Sequence, residues 1–264
     1  MNQMVKIGIV ALLVTGTAVG CATPQAVKEA STKAEKLFLQ GQMNFERTDY
    51  KGAITKYNKV RNEHPYSKYA VLADLRIADA YYEQSQWSSA AEQYRTFVKL
   101  HPNHPEVAYA RFRVGKALYQ KTPDNWFFLP PAYERDLGST KRAVQGLRKF
   151  VENHSDSEYY PEGKKMLRKA RRRLADHEMY VADFYLDREN PRGAKMRLQH
   201  LLNHYSGLGL DAKALYLLAV THLKLGDRKK AKLALQDLIE YHPDSKYAGK
   251  AKDYMSSHDL SSGS

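Results

Sequence analysis

Cysteine is almost absent from the sequence, which contains Cys21 alone. One thiol can form neither an internal disulfide nor a cysteine-based zinc site, so side-chain packing has to hold the fold together. The motifs of common enzyme classes are also missing. There is no Gly-x-x-x-x-Gly-Lys phosphate loop, no Gly-x-Ser-x-Gly turn and no Gly-x-Gly-x-x-Gly, and Val181 stands where a second histidine would follow His177. The sequence therefore predicts a protein that is not an enzyme and has no metal site.

The apolar stretch near the amino terminus, from Ile7 to Thr17, is shorter than the roughly 20 residues of a membrane-spanning helix. Lys6 precedes this stretch, and the small residues Ala18-Val19-Gly20 lead from it to Cys21. Such an order is typical of a lipoprotein signal peptide. We therefore expect residues 1–20 to be cleaved and Cys21 to carry a covalent lipid, with no other cofactor. The alternative is an ordinary secreted protein with an unpaired thiol.

The residues after the cysteine indicate where the lipid would be inserted. Ala22, rather than aspartate, follows Cys21, and in Gram-negative lipoproteins this implies sorting to the outer membrane. The protein would then be lipid-anchored on the periplasmic face of that membrane. Residues 21–33 are mostly small and polar and include Pro24, which favours a flexible lipidated tether.

The charge of the chain is strongly of one sign, with 42 lysines and arginines against 29 acidic residues and a net charge of +13. This balance favours acidic partners, such as phosphate head groups, acidic protein surfaces or nucleic acid. The expected periplasmic location argues against nucleic acid. With 43% hydrophobic and 27% charged residues, the composition is that of a folded globular chain.

One phrase recurs along the chain. His64-Pro65-Tyr66-Ser67-Lys68-Tyr69-Ala70 returns as His242-Pro243-Asp244-Ser245-Lys246-Tyr247-Ala248, and weaker copies begin at His101, His154 and His204. The intervals between these histidines are 37, 53, 50 and 38 residues. Repetition with a period in the thirties predicts a solenoid of helix-turn-helix units. The histidines themselves are expected to cap helix ends rather than to bind metal.

Small residues recur at two places in every interval. The first set is Gly41, Ala78, Gly115, Ala182 and Ala219, and the second is Ala53, Ala90, Ala143, Ala194 and Ala231. Bulky residues follow the second set, and a helix breaker ends each interval. This arrangement resembles the tetratricopeptide repeat, in which the small residues let two helices approach closely. We therefore expect an all-α protein, a right-handed α-solenoid of five tetratricopeptide-like repeats.

The repeats are not evenly spaced, and the extra residues predict where the chain departs from the simple pattern. The expected organisation is repeats one to three over residues 34–155, a long helix with repeats four and five over 156–255, and a flexible tail over 256–264. An insertion at 121–138, rich in aromatic residues and proline, separates the two helices of repeat three. It could pack back on the repeats or contact a partner. Tyr160-Pro161 predicts the start of a helix that continues to Asp187 without a breaker.

Three runs of sequence narrow the resemblance to one family. They are Ser155-Asp156-Ser157-Glu158-Tyr159, Arg173-Leu174-Ala175-Asp176-His177-Glu178 and Val181-Ala182-Asp183-Phe184-Tyr185. The chain resembles the BamD family, the tetratricopeptide lipoproteins of the outer-membrane β-barrel assembly machinery. The resemblance implies binding to the periplasmic domain of the barrel-insertion subunit BamA, to other lipoproteins of the complex, and to targeting segments of unfolded outer-membrane proteins, whose folding and insertion it would promote.

Two positions of the first helix in repeats one to three suggest a peptide-binding groove. They are held by Phe38, Leu75 and Phe112, and by Phe45, Tyr82 and Tyr119. Such a ladder on a concave face could bind an extended or helical peptide, although packing between repeats is the alternative. The resemblance implies that the amino-terminal repeats receive substrate, and that the carboxy-terminal repeats dock BamA with Arg197 facing it.

Seven cations lie within ten residues of the predicted long helix, and we call them the basic stripe: Lys164, Lys165, Arg168, Lys169, Arg171, Arg172 and Arg173. A run of this kind is usually a solvated helix face. The alternative is contact with an acidic BamA surface or with anionic lipid head groups. A second function of a different class also fits a periplasmic repeat protein, namely a scaffold that coordinates cell-envelope or peptidoglycan enzymes.

Overall fold

The computed structural model describes residues 24–122 and 137–258. All regular secondary structure within these two ranges is α-helical. The helices are α1 (Pro24–Glu46), α2 (Tyr50–Glu63), α3 (Lys68–Glu83), α4 (Trp87–Leu100), α5 (Val107–Gln120), α6 (Gly138–Asn153), α7 (Tyr160–Asp187), α8 (Pro191–Tyr205), α9 (Asp211–Lys224), α10 (Arg228–Tyr241) and α11 (Lys246–Ser257).

Each helix packs against the next one along the chain, which gives an α-solenoid of tetratricopeptide-like pairs. The pairs are α1/α2, α3/α4, α5/α6, α7/α8 and α9/α10, so the expected five repeats and the all-α fold class are confirmed. None of the described helices is both long and apolar enough to cross a membrane.

The small residues of the repeat lie where two helices of a pair approach most closely. The alanines of the second set, Ala53, Ala90, Ala143, Ala194 and Ala231, are fully buried. A Cβ atom added at Gly41 would lie 2.6 Å from Tyr57 Cε1, and one added at Gly115 would lie 2.6 Å from Leu147 Cδ2. No larger side chain fits at these two glycines without moving a buried neighbour, so the close approach explains the pattern.

Side-chain caps define where the helices begin. Asp49, Asn190 and Asp227 accept hydrogen bonds from backbone N–H groups in the first turns of α2, α8 and α10. His64, His101, His154 and His242 are the carboxy-terminal caps of α2, α4, α6 and α10, whereas His204 lies within the last turn of α8.

The carboxy-terminal end holds a helix that the sequence analysis did not identify. Ser67 of the recurring phrase caps α3, and its counterpart Ser245 caps α11 in the same way. The second copy of the phrase therefore signalled another helix. α11 packs on α10 and α9, and it includes residues 256 and 257 of the segment predicted to be a flexible tail.

The expected flexible tether is also corrected, because α1 begins at Pro24 and residues 24–33 are helical. Proline suits the first turn of a helix, where its missing N–H has no intrahelical partner. The cleaved segment 1–20 and Cys21 lie outside the described residues, as do positions 123–136 of the predicted insertion. The described flanks agree with that insertion, since α5 ends at Gln120 and α6 begins at Gly138.

The predicted long helix is present as α7, which has 28 residues and joins two parts of the solenoid. Near its start, Gly163 lies against Phe150 of α6. Near its end, Met179 and Ala182 pack in a core formed with α8 and α9. One continuous helix thus packs on repeat three through its first half and forms repeat four with its second.

Candidate binding surfaces of the solenoid

The first set of predicted groove residues lies in the core. Phe38, Leu75 and Phe112 are 7%, 1% and 2% exposed. The Phe38 ring lies 5.4 Å from that of Tyr57, and the Phe112 ring lies 5.6 Å from that of Phe150. The prediction that these three side chains line an open groove was wrong, and the alternative, packing between helices, is what they do.

In the second set Tyr82 is buried and the other two rings are half-buried, and side chains from later helices lie against all three. Tyr82 is 7% exposed, with the Arg113 guanidinium 3.8 Å above its ring. Tyr119 is half-buried, and the guanidinium of Arg173 lies 5.3 Å from its ring centroid. Phe45, also half-buried, has the edge-on ring of Tyr50 at 5.2 Å. Aromatic rings therefore do line one side of the repeats, but two of the three already hold a cation.

A buried carboxylate organises the helices beneath Tyr82. Asp79 on α3 accepts hydrogen bonds from the hydroxyls of Tyr94 (2.5 Å) and Tyr109 (2.7 Å) and from Arg76 Nη1 (2.7 Å). Arg113 Nε donates to the Tyr94 hydroxyl at 2.9 Å. The network joins α3, α4 and α5, so it fixes how repeats two and three pack together.

Burial, reinforced by the negative charge of Asp79, raises the pKa of Tyr94 and of Tyr109 well above the usual value. Both hydroxyls therefore stay protonated and act as donors at neutral pH. The charge of Asp79 is matched by Arg76 and by Arg113, whose Nη2 lies 3.9 Å from Oδ1. A paired and fully hydrogen-bonded carboxylate of this kind positions helices, and it carries no sign of catalysis.

Arg197, which the family resemblance places opposite BamA, has an intramolecular partner. It lies on α8, and its Nη1 donates to Oε2 of Glu178 at 3.3 Å. Glu178 on α7 is only 8% exposed, and His200 Nδ1 lies 3.4 Å from its other oxygen. The Arg197 side chain is still 42% exposed. It can therefore neutralise Glu178 and keep donors available to a partner.

The basic stripe divides into an exposed part and a structural part. Lys164, Lys165, Arg168 and Lys169 are exposed, and none of them forms an ion pair with a described residue. This first part is a solvated face available to an anionic surface.

The second part of the stripe ties α7 to α8, to the loop after α8 and to the end of α5. Arg171 Nη2 donates to the His204 carbonyl at 3.0 Å, and Arg172 Nε donates to Asp176 at 2.8 Å. Arg172 Nη1 also reaches the Leu208 carbonyl, and Arg173 Nη1 donates to the Thr122 hydroxyl just after α5. These three arginines therefore stabilise the fold through defined partners, and the Arg172 side chain is still 42% exposed.

Sequence reasoning did not identify Asp79, Arg113 or Glu178 as structural centres. Arg113 is 31 residues from Tyr82 and 34 from Asp79, and Arg197 is 19 from Glu178. Contacts over such separations leave no local pattern. The one available signal was the presence of charged residues on otherwise apolar helix faces, which are buried only when paired.

Comparison of the sequence with known proteins finds one matching family and several similar proteins. The model of the family described as "YfiO: Outer membrane lipoprotein" matches residues 30–236. The outer membrane protein assembly factor BamD of Caulobacter vibrioides is 25% identical over 228 residues, which cover 85% of this chain and 72% of that protein. The BamD of Neisseria meningitidis serogroup A is 27% identical over 213 residues, covering 78% and 80%.

Among solved structures, the TPR2AB-domain:pHSP90 complex of yeast Sti1 superposes with a TM-score of 0.42 and 18% identity, over 84% of this chain and 82% of that one.

Proposed function

The chain belongs to the YfiO family of outer membrane lipoproteins, and on this premise we propose that it is a non-enzymatic factor in the assembly of outer-membrane proteins. The observation that carries the proposal is the family match over residues 30–236, which begins in α1 and ends within α10. The relatives named outer membrane protein assembly factor BamD support the same role. A helical-repeat protein of this kind acts by holding partners on its extended surface.

The protein acts, in this proposal, by docking the periplasmic domain of BamA on its carboxy-terminal repeats, together with other lipoproteins of the complex. The direct test is affinity purification from a detergent-solubilised envelope. Co-purification of a barrel protein with periplasmic transport domains is the expected result. Recovery of peptidoglycan enzymes without any such barrel protein would overturn the proposal and favour the envelope scaffold.

Arg197 is proposed as a contact to BamA, because its guanidinium remains accessible beside Glu178. Reversing its charge alone would also place two carboxylates together, so we use the pair Glu178→Gln with Arg197→Gln. It removes both charges and leaves no unpaired buried ion. Arg192→Gln, an exposed position on the same helix, is the control. The pair should reduce BamA recovery and the control should not. Equal recovery from both would remove Arg197 from the interface.

Targeting segments of unfolded outer-membrane proteins are proposed to bind the amino-terminal repeats. Of the predicted ladder, Phe45 and Tyr119 are half-buried and remain accessible. Tyr119 lies on α5, one turn after Lys116, which forms an ion pair with Glu162 at 2.9 Å. A photo-crosslinking phenylalanine analogue at Tyr119 should capture a nascent barrel protein. The same analogue at Tyr66, which is fully exposed in the turn between α2 and α3, is the control. Crosslinks from Tyr66 alone would contradict the assignment.

The membrane anchor is proposed to be the lipid on Cys21, which holds the protein at the periplasmic face of the outer membrane. Cys21→Ser removes the acylated thiol. Metabolic labelling with a fatty-acid analogue should mark the wild type and leave the variant unmarked, and the variant should move to the soluble periplasmic fraction. Labelling of the variant at wild-type level would disprove this attachment point.

A further inference from the structure

A cleft lies between α4 and α6, with α5 at its base, because α5 packs against both of those helices. Its volume is about 590 Å³. Five cations line it, which are Arg95 and Lys99 of α4, Arg111 of α5, and Arg142 and Lys149 of α6. No aspartate or glutamate is among the described residues that line it. We call it the basic cleft.

The charges of the basic cleft are largely uncompensated. Arg95 lies 3.5 Å from Glu92, but both side chains are exposed and such a pair is weak. The other four cations form no ion pair within the described part of the chain. Arg111 Nε is moreover buried and has no hydrogen-bond partner there. Like charges held together on three helices repel each other, and an unpaired buried donor is costly. Both effects are relieved when an anion binds.

The base of the cleft is apolar and firmly packed. Phe150 is fully buried against Phe112, and Val114 is 8% exposed within the main core. Val98 and the backbone of Gly146 complete this surface. A ligand for this site therefore combines negative charge with one apolar group.

We propose that the basic cleft binds an acidic peptide segment of a partner protein, with carboxylates on its lysines and arginines and one apolar side chain against Val98 and Val114. Three features favour a peptide over a phospholipid. The cleft runs between two neighbouring helices, which suits a linear chain, and its volume is in the range that accommodates a few residues. Its small apolar base leaves no room for two acyl chains. This site lies on α4, α5 and α6, whereas Arg197 lies on α8.

The test is the affinity of the purified full chain for a fluorescein-labelled, carboxyl-amidated peptide, Gly-Ser-Asp-Glu-Phe-Glu-Asp-Ser-Gly. Arg142→Glu with Lys149→Glu should weaken binding by about tenfold or more, because like charges then meet at the site. Lys229→Glu with Lys252→Glu makes the same change in net charge at exposed positions of α10 and α11, and should weaken binding less than about twofold.

A third variant distinguishes binding inside the cleft from a general attraction between opposite charges. Gly146→Leu keeps every charge and raises the helix propensity, and its Cβ meets only ordinary contacts at 3.6 Å or more. It should also weaken peptide binding, since its side chain narrows the base.

Three results would overturn the proposal. One is equal loss of binding in both charge variants, and the second is equal binding of a peptide with asparagine and glutamine in place of its acidic residues. The third is binding of phosphatidylglycerol vesicles, abolished by Arg142→Glu with Lys149→Glu, without binding of the acidic peptide. Circular dichroism of every variant checks that it is folded.

Discussion

At the scale of single residues, the turns between paired helices share one unusual backbone conformation. Thr48, Ser85, Glu189 and Gly226 each follow the first helix of a repeat, with φ of 61°, 59°, 54° and 78°. Such values are unfavourable for residues with a Cβ atom and are free of that cost for glycine. Among these four described turns, only that of the last repeat has glycine there, so the other three carry backbone strain.

Two glycine-to-alanine changes should therefore have opposite effects. Gly226→Ala should lower the free energy of unfolding by about 1 kcal/mol, because of its positive φ alone, since no atom lies within 4 Å of the added Cβ. Gly249→Ala, at the fourth residue of α11 and equally free of contacts, should raise it by about 0.5 to 1 kcal/mol. Urea unfolding of both variants measures the difference. A change of the same sign in both would contradict this account of the turn.

Two buried tyrosines with different surroundings allow a second comparison. The Tyr57 hydroxyl is buried with no hydrogen-bond partner among the described residues, whereas that of Tyr94 bonds to Asp79 and Arg113. Tyr57→Phe should be neutral or stabilising by up to about 1 kcal/mol, and Tyr94→Phe should cost about 1 to 3 kcal/mol. Both changes remove one hydroxyl. Thermal unfolding that ranks them in the other order would disprove the role of the Asp79 network.

The sequence predicted residue roles well where they depend on size, and poorly where they depend on distant partners. Ala53 and Ala90 were identified as close-contact positions because every repeat needs a small residue there. The prediction of an open aromatic ladder was wrong for its buried members, because apolar residues with the same helical period can line either a core or a groove. Whether Tyr82 is open depends on Arg113, which comes from the next repeat.

At the scale of elements, α7 shows most clearly which features the sequence could predict and which it could not. Its exposed cations lie in its first half, while Arg171 binds the His204 carbonyl in the last turn of α8, and Arg172 and Arg173 bind groups that follow α8 and α5. The charge run thus has two roles that look identical in sequence. The length of the helix was predictable, because the run after Tyr160-Pro161 has no breaker. The start of α1 at Pro24 could not be predicted, because the small polar residues there are as compatible with a flexible tether as with a helix.

Arg172→Ala should therefore lower the free energy of unfolding by about 1.5 to 3 kcal/mol, since it removes charge-assisted bonds to Asp176 and to the Leu208 carbonyl. Lys165→Ala, an exposed change in the same helix, should stay within about 0.5 kcal/mol of the wild type. Chemical denaturation of the two variants is the measurement. Equal stability would mean that the whole stripe is a solvated face.

At the scale of the whole molecule, the two parts of the solenoid have different cores. The amino-terminal part packs tyrosine and phenylalanine, whereas the core of α7, α8 and α9 is built from leucine, alanine and methionine. The most deeply buried tyrosines, Tyr57 and Tyr94, both belong to the amino-terminal part.

This asymmetry predicts a response to alkaline pH. Burial raises the pKa of Tyr57 to about 12 and raises that of Tyr94 and Tyr109 as well. Unfolded tyrosine titrates near pH 10. The stability that the neutral rings contribute is complete below that pH and is lost as the pH rises above it. Hydrogen exchange above pH 10, corrected for the intrinsic rate, should show α2 to α5 losing protection before α8 to α10. The reverse order would contradict the prediction.

The central claim is that this solenoid assists the assembly of outer-membrane barrel proteins. Its most direct measurement is depletion of the protein in living cells, followed by pulse-chase of a newly made barrel protein and gel analysis of the folded, heat-modifiable form. The folded form should decrease on depletion, while unfolded precursor accumulates in the periplasm. Normal barrel folding with altered peptidoglycan cross-linking would contradict the claim.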